Sequence, residues 1–131
     1  MKRFLKSGKA GAASAEQTHG LAHGAAFKRL VIAGQLGTDA AGAAPKGLEA
    51  QCELAFDNLL GVIDAAQLRA GDLIKIVAYV TAPGSLAVYE RVRSRKLGAV
   101  TPVSTYVEVA GLGDPRWLVS IEGEAIQEVN P

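Results

Sequence analysis

Glu122 is the residue of this chain whose surroundings best suit it to move a proton. It lies in IEGEAI, Ile121 to Ile126, where two carboxylates alternate with small and apolar residues. A carboxylate among such neighbours can be desolvated enough to act as a base on water, although the same position also suits a solvated strand residue. Glu124 reads as a surface or interface charge. Upstream, PVSTYVEV sets Ser104 and Tyr106 two apart, on one face of a strand. Their hydroxyls can bond a neutral polar ligand or line a contact between copies. Gly34 and Gln35 follow a short apolar run. Lacking a Cβ, Gly34 either opens its N–H to a ligand or simply ends a strand at a turn, and Gln35 is expected to bond the backbone of that turn.

Other candidate chemistry carries less. His19 and His23 are four apart, but the stretch is glycine-rich and supplies no partnering acid, so neither a metal nor another cofactor is expected. Cys52 is the single cysteine, which excludes an intrachain disulfide and suits a reducing compartment. It falls on an apolar helical stripe and reads as a small core residue. The run RVRSRK, Arg91 to Lys96, closes a helix, where cations complement the macrodipole, and it contains no aromatic on which a base could stack. Nucleic acid is therefore not the expected partner, and an endoribonuclease is the weakest reading.

The elements that must position these residues follow from periodicity. Lys2 to Lys6 reads as a short strand, Ser7 to Gly24 as loop, and Leu30 to Ala33 as a second strand stopped by Gly34. Turn formers from Gly37 to Gly47 mark a connection. Leu48, Cys52, Phe56, Leu59 and Ile63 form one stripe of a helix over Leu48 to Ala66, with Glu49, Glu53 and Asp57 on its other side. LIKIVAYV, Leu73 to Val80, reads as a β-branched strand whose sole charge is Lys75, so both faces are expected to be largely covered. Ser85 caps a second helix with a weaker stripe of Val88, Val92 and Leu97, ending at Gly98. Strands from Pro102 to Val109 and Leu118 to Ile126 close the chain. The order β-β-α-β-α-β-β predicts an α+β fold, one sheet with two helices on one face. Its uncovered, partly apolar face predicts packing against further copies.

The 131 residues suit a single domain, residues 1–131, able to bury roughly two-thirds of its unfolded surface without metal or disulfide. With 14 basic and 13 acidic residues the net charge is +1, so no long-range pull selects an anionic partner. Neither a secretory signal nor a membrane-spanning run is evident, which leads us to expect a cytoplasmic protein with no membrane partner.

Five blocks in order, AGQLGTD, EAQCELAFDNLLGVIDAA, DLIKIVAYVT, PVSTYVEVAGL and IEGEAI, give the chain a resemblance over nearly its whole length to the RidA/YjgF family of enamine/imine deaminases. The resemblance implies the chorismate-mutase-like fold and a homotrimer whose clefts for a small-molecule ligand lie between subunits. It implies Glu122 as the catalytic residue associated with water, and Gly34, Gln35, Ser104 and Tyr106 at the substrate. The family's serine before Gly34 is here Ala33, and the asparagine of its second helix corresponds to Glu90. Where the deaminases keep a carboxylate-gripping arginine, this chain has Ser104, whose hydroxyl lacks the charge and the forked geometry. The expectation is hydrolysis of a small imine or enamine other than the standard 2-imino acid. The alternative is a non-catalytic trimeric ligand-binding or regulatory protein.

Overall fold

Nine segments of regular structure alternate along the chain in the computed structural model, which describes residues 2–7, 19–24 and 27–129. They are β1 (Lys2–Leu5), β2 (Gly20–Gly24), β3 (Phe27–Leu36), α1 (Leu48–Ala65), a one-turn 3-10 helix (Ala70–Asp72), β4 (Leu73–Val80), α2 (Leu86–Leu97), β5 (Val103–Glu108) and β6 (Val119–Glu128). One six-stranded sheet has the order β1-β2-β3-β6-β4-β5. Only β4 and β5 are parallel, joined through α2; every other pairing is antiparallel.

The expected α+β class holds, with one strand more than periodicity reveals. Gly20 to Gly24 was assigned to loop, yet it pairs with β1 on one side and β3 on the other. Its composition, GLAHG, carries no strand signal of its own, so pairing from both sides supplies what propensity does not. The rest of that expected loop, residues 8–18, lies outside the described residues. β3 runs well past the expected Leu30–Ala33, because the chain bulges at Gly34 and continues to Leu36.

Both helices lie on one face of the sheet. Cys52, Phe56, Leu59 and Ile63 of α1 are buried against Leu30 and Ile32 of β3, Ile76, Ala78 and Val80 of β4, and Val119, Ile121 and Ala125 of β6. Burial pushes the Cys52 thiol up to about 11, with Glu49 adding to the shift, so it behaves as the core residue its position implied. On α2 the buried side chains are Tyr89, Val92 and Leu97; Val88 of the expected stripe is only half-buried. The Tyr89 ring stacks on Phe56 at 5.7 Å and meets Tyr106 of β5 at 5.4 Å between centroids. Ser85 stands at the N-cap of α2 as expected, but its side chain makes no capping bond.

Charge couples the two helices at their rims. Lys96 bonds Asp57 at 2.9 Å, Arg91 lies 3.5 Å from Glu49, and Arg95 contacts Glu53. Each exposed pair contributes at most about 1 kcal/mol, but together they commit three cations of the basic run to α1.

Candidate active site

Glu122 sits near the middle of β6 on the face that the helices leave open. Its neighbours Ile121 and Gly123 point to the core, which turns Ser120, Glu122 and Glu124 outward. β4 places Val77 beside Glu122 and Tyr79 beside Ser120 on the same face. The nearby Glu122 carboxylate raises the Tyr79 phenol above its ordinary pKa. A shallow depression of about 40 Å³ next to Glu122 is walled by Val31, Lys75, Val77 and Glu124. Arg29 pairs with Glu124 at 2.9 Å.

On its other edge Glu122 faces a β-bulge of β3. Ile32 pairs with Gly123 and Gln35 with Ile121, so Ala33 and Gly34 together oppose Glu122. Glycine is required at 34 by its neighbour: a Cβ there would lie 2.4 Å from the Ser120 hydroxyl. Gln35, registered with Ile121 on the helix side, is buried and donates its amide to Ala33 O at 2.9 Å. It braces the bulge through backbone bonding, as its position suggested.

Ser104 and Tyr106 lie elsewhere. In the parallel ladder Ile76 pairs with Ser104, Ala78 with Tyr106 and Val80 with Glu108, all on the helix side, whereas Val103, Thr105 and Val107 share the open face. The alternation expected for β5 is present, but its polar set turns toward α2. Within one chain the sheet therefore separates Glu122 and Gly34 from Ser104 and Tyr106. The Tyr106 hydroxyl donates to Glu108 at 2.9 Å, and Glu108 also accepts the Gly84 N–H at 3.0 Å. Burial and the Glu108 bond push the Tyr106 phenol up to about 12. Ser104 donates to Pro102 O at 3.1 Å and accepts from Arg93 at 3.4 Å. Glu90 is exposed on α2, and Ala33 is exposed in the bulge.

A larger concavity, about 450 Å³, opens between Thr81 and the loop of Gly111, Leu112, Gly113, Asp114 and Trp117, and none of the expected site residues lines it. Arg116 binds Asp114 in a fork, with contacts of 3.0 and 2.7 Å, and holds its carboxyl down at about 2. A depressed carboxyl stabilises the fold fully above its unfolded pKa, near 4, and that contribution disappears as pH falls through about 2. An NMR titration of the Asp114 carboxyl should show a midpoint near 2, moving up toward 4 in Arg116→Gln. His19, considered above as a metal ligand, accepts the Ser7 N–H on Nδ1 at 2.7 Å. No helix among the described residues is long and apolar enough to cross a membrane.

Comparison with known proteins agrees with this architecture. No curated protein matches the chain. A Thermotoga maritima structure superposes with a TM-score of 0.88 at 26% identity, covering 98% of this chain and 100% of that one. RidA from the Antarctic bacterium Psychrobacter gives 0.83 at 27% identity, with 94% and 98% covered. The Escherichia coli YjgF gene product gives 0.84 at 24% identity, with 95% and 98% covered, a likeness of fold. The family model described as Endoribonuclease L-PSP matches residues 11–127. The chain belongs to that family, the one that includes RidA and YjgF.

Proposed function

We propose that the chain is a hydrolytic deaminase of small imines or enamines, with Glu122 activating the water. One observation carries the reading: a half-buried carboxylate on the open sheet face, beside the Tyr79 phenol and opposed by a β-bulge at Ala33 and Gly34. Glu122 takes a proton from water as its oxygen bonds to the imine carbon, giving a carbinolamine. Glu122 passes that first proton to the imine nitrogen as the carbinolamine forms; it then takes the proton of the carbinolamine hydroxyl and hands it to nitrogen as the carbon–nitrogen bond breaks, and a carbonyl compound and ammonia leave. Ammonia release from freshly generated imines, compared between wild type and Glu122→Gln, tests this. Ligand binding without ammonia from either would favour the non-catalytic alternative.

The reading requires an assembly. Ser104 and Tyr106 can reach the ligand of a Glu122 only if that Glu122 belongs to another copy, since the sheet lies between them in one chain. Val103, 72% exposed, Val107 and Phe27 give the open face the apolar area such packing needs. Sedimentation velocity is expected to give a trimer. A monomer at micromolar concentration would remove the intersubunit cleft.

A further inference from the structure

Lys75 is the sole charge of an otherwise apolar strand, and it borders the same depression as Glu122. Strands of this composition seldom carry a lysine in mid-run, so the position asks for a reason. In the β4–β6 ladder Val77 lies opposite Glu122, which makes Lys75 and Tyr79 its two diagonal neighbours on the open face, one toward each end of β4. Side chains at that offset come within reach of each other when one of them is long, as a lysine is. Arg29, a second cation on this face, is already committed to Glu124 at 2.9 Å. Lys75 enters no ion pair among the described residues. An ammonium and a carboxylate thus border one depression without closing on each other. Val31 and Val77 give it apolar walls, and its volume of about 40 Å³ admits a water-sized oxygen.

We propose that Lys75 is a second catalytic residue, whose ammonium stabilises the negative charge that develops on the reacting oxygen during imine hydrolysis. The proposal rests on the reading of Glu122 as the base. When Glu122 takes the proton of the attacking water, the oxygen gains charge while its bond to carbon forms. It gains charge again when Glu122 removes the carbinolamine hydroxyl proton: the O–H pair becomes the second carbonyl bond, and the carbon–nitrogen pair leaves with nitrogen. In both stages the oxygen must lie against the carboxylate that takes its proton, in the space that Lys75 enters from β4. Lys75 transfers no proton; Glu122 carries both to nitrogen, and the ammonium ends as it began. A charge fixed in place beforehand needs no reorganisation as the reaction proceeds, and it acts most strongly where water is excluded. Val103, beside Lys75 on β5, is 72% exposed, so a second copy packed over it takes Lys75 out of water too.

The test measures kcat and KM for ammonia release from a freshly generated imine, using the full chain with Lys75→Met, and with Lys75→Cys before and after alkylation by bromoethylamine. Alkylation rebuilds an ammonium at lysine's length, and the buried Cys52 escapes it. Both substitutions should lower kcat by about 100-fold with KM within about 3-fold, the signature of a donor lost at a developing oxyanion. Alkylated Lys75→Cys should recover at least about 10-fold of that loss with the sedimentation profile unchanged throughout. Wild-type kcat in Lys75→Met, a loss confined to KM, no recovery on alkylation, or recovery only together with reassembly would each overturn the proposal. Active Lys75 variants beside an inactive Glu122→Gln remove the role of Lys75 alone, whereas an active Glu122→Gln removes the reading on which it rests.

Discussion

Glu122→Gln is expected to lower ammonia release from imine substrates by at least about 100-fold while leaving the melting temperature and the assembly unchanged. Glutamine keeps the volume and leaves the backbone ladder untouched, so β6 and its pairing with β4 survive. What it cannot do is take a proton from water and hand it to the departing nitrogen, and among the described residues no other carboxylate stands ready in its place. Glu124 lies two residues on and is tied to Arg29 at 2.9 Å. Glu108 is on the other face of the sheet and accepts from both Tyr106 and Gly84. An unaltered rate in Glu122→Gln would mean that water is activated by a group outside this depression, and the deaminase reading of the open face would fail with it.

How much of this was legible in the chain depended on whether a residue's partners were near it in sequence. β4 was read with its observed bounds because LIKIVAYV is apolar and β-branched along most of its length, but the expected cover on both faces fails: Ile74 is 41% exposed, and Val77 and Tyr79 lie half-buried on the open face. α1 was read nearly to the residue because its stripe recurs over many turns. β2 was not, since GLAHG becomes a strand only between two others. The faces of β5 were separable by alternation, but alternation does not say which face meets the helices. That is decided by Tyr89, whose ring draws Tyr106 inward and leaves Val103 and Val107 outside. Hence Ser104 and Glu122 could be named from sequence but not assigned to opposite sides of one sheet.

The polar residues that escaped notice share a cause. Arg93 sat within a basic run, and nothing in RVRSRK distinguishes the one cation facing β5 from those facing α1. Periodicity could have separated them only with the orientation of α2 known, and the stripe of α2 was too weak to give it. Asn58 and Gln51 lie on a helix whose pattern announces burial of apolar side chains, and both are buried. Asn58 donates to Leu36 O at 3.0 Å and Thr38 O at 2.9 Å, linking α1 to the chain beyond the bulge. Their acceptors are the last carbonyl of β3 and three loop carbonyls, which leave no trace in a hydropathy pattern.

Gln51→Leu should therefore be the most damaging volume-conserving change to the fold, costing about 3–5 kcal/mol out of a typical 5–15. The Gln51 amide donates to Pro45 O and to Arg116 O, both at 2.8 Å, and its carbonyl accepts the Leu118 N–H at 2.9 Å. The residue is 2% exposed, so leucine fills the space but deprives three backbone groups of their partner. Each group left unmet away from water costs about 1–3 kcal/mol, and access of solvent to the two loops recovers part of that. Nor can α1 shift to compensate. A Cβ on Gly37 would already lie 2.3 Å from the Gln51 carbonyl oxygen, so helix and connection are in backbone contact. Urea denaturation would show the loss as a lower midpoint with an unchanged slope. Because Arg116 and Leu118 lead directly into β6, the same substitution should also loosen the approach to Ser120 and Glu122. A cost below about 1 kcal/mol would instead mean that water replaces the amide, and that β6 holds its register through the pairings with β3 and β4 alone.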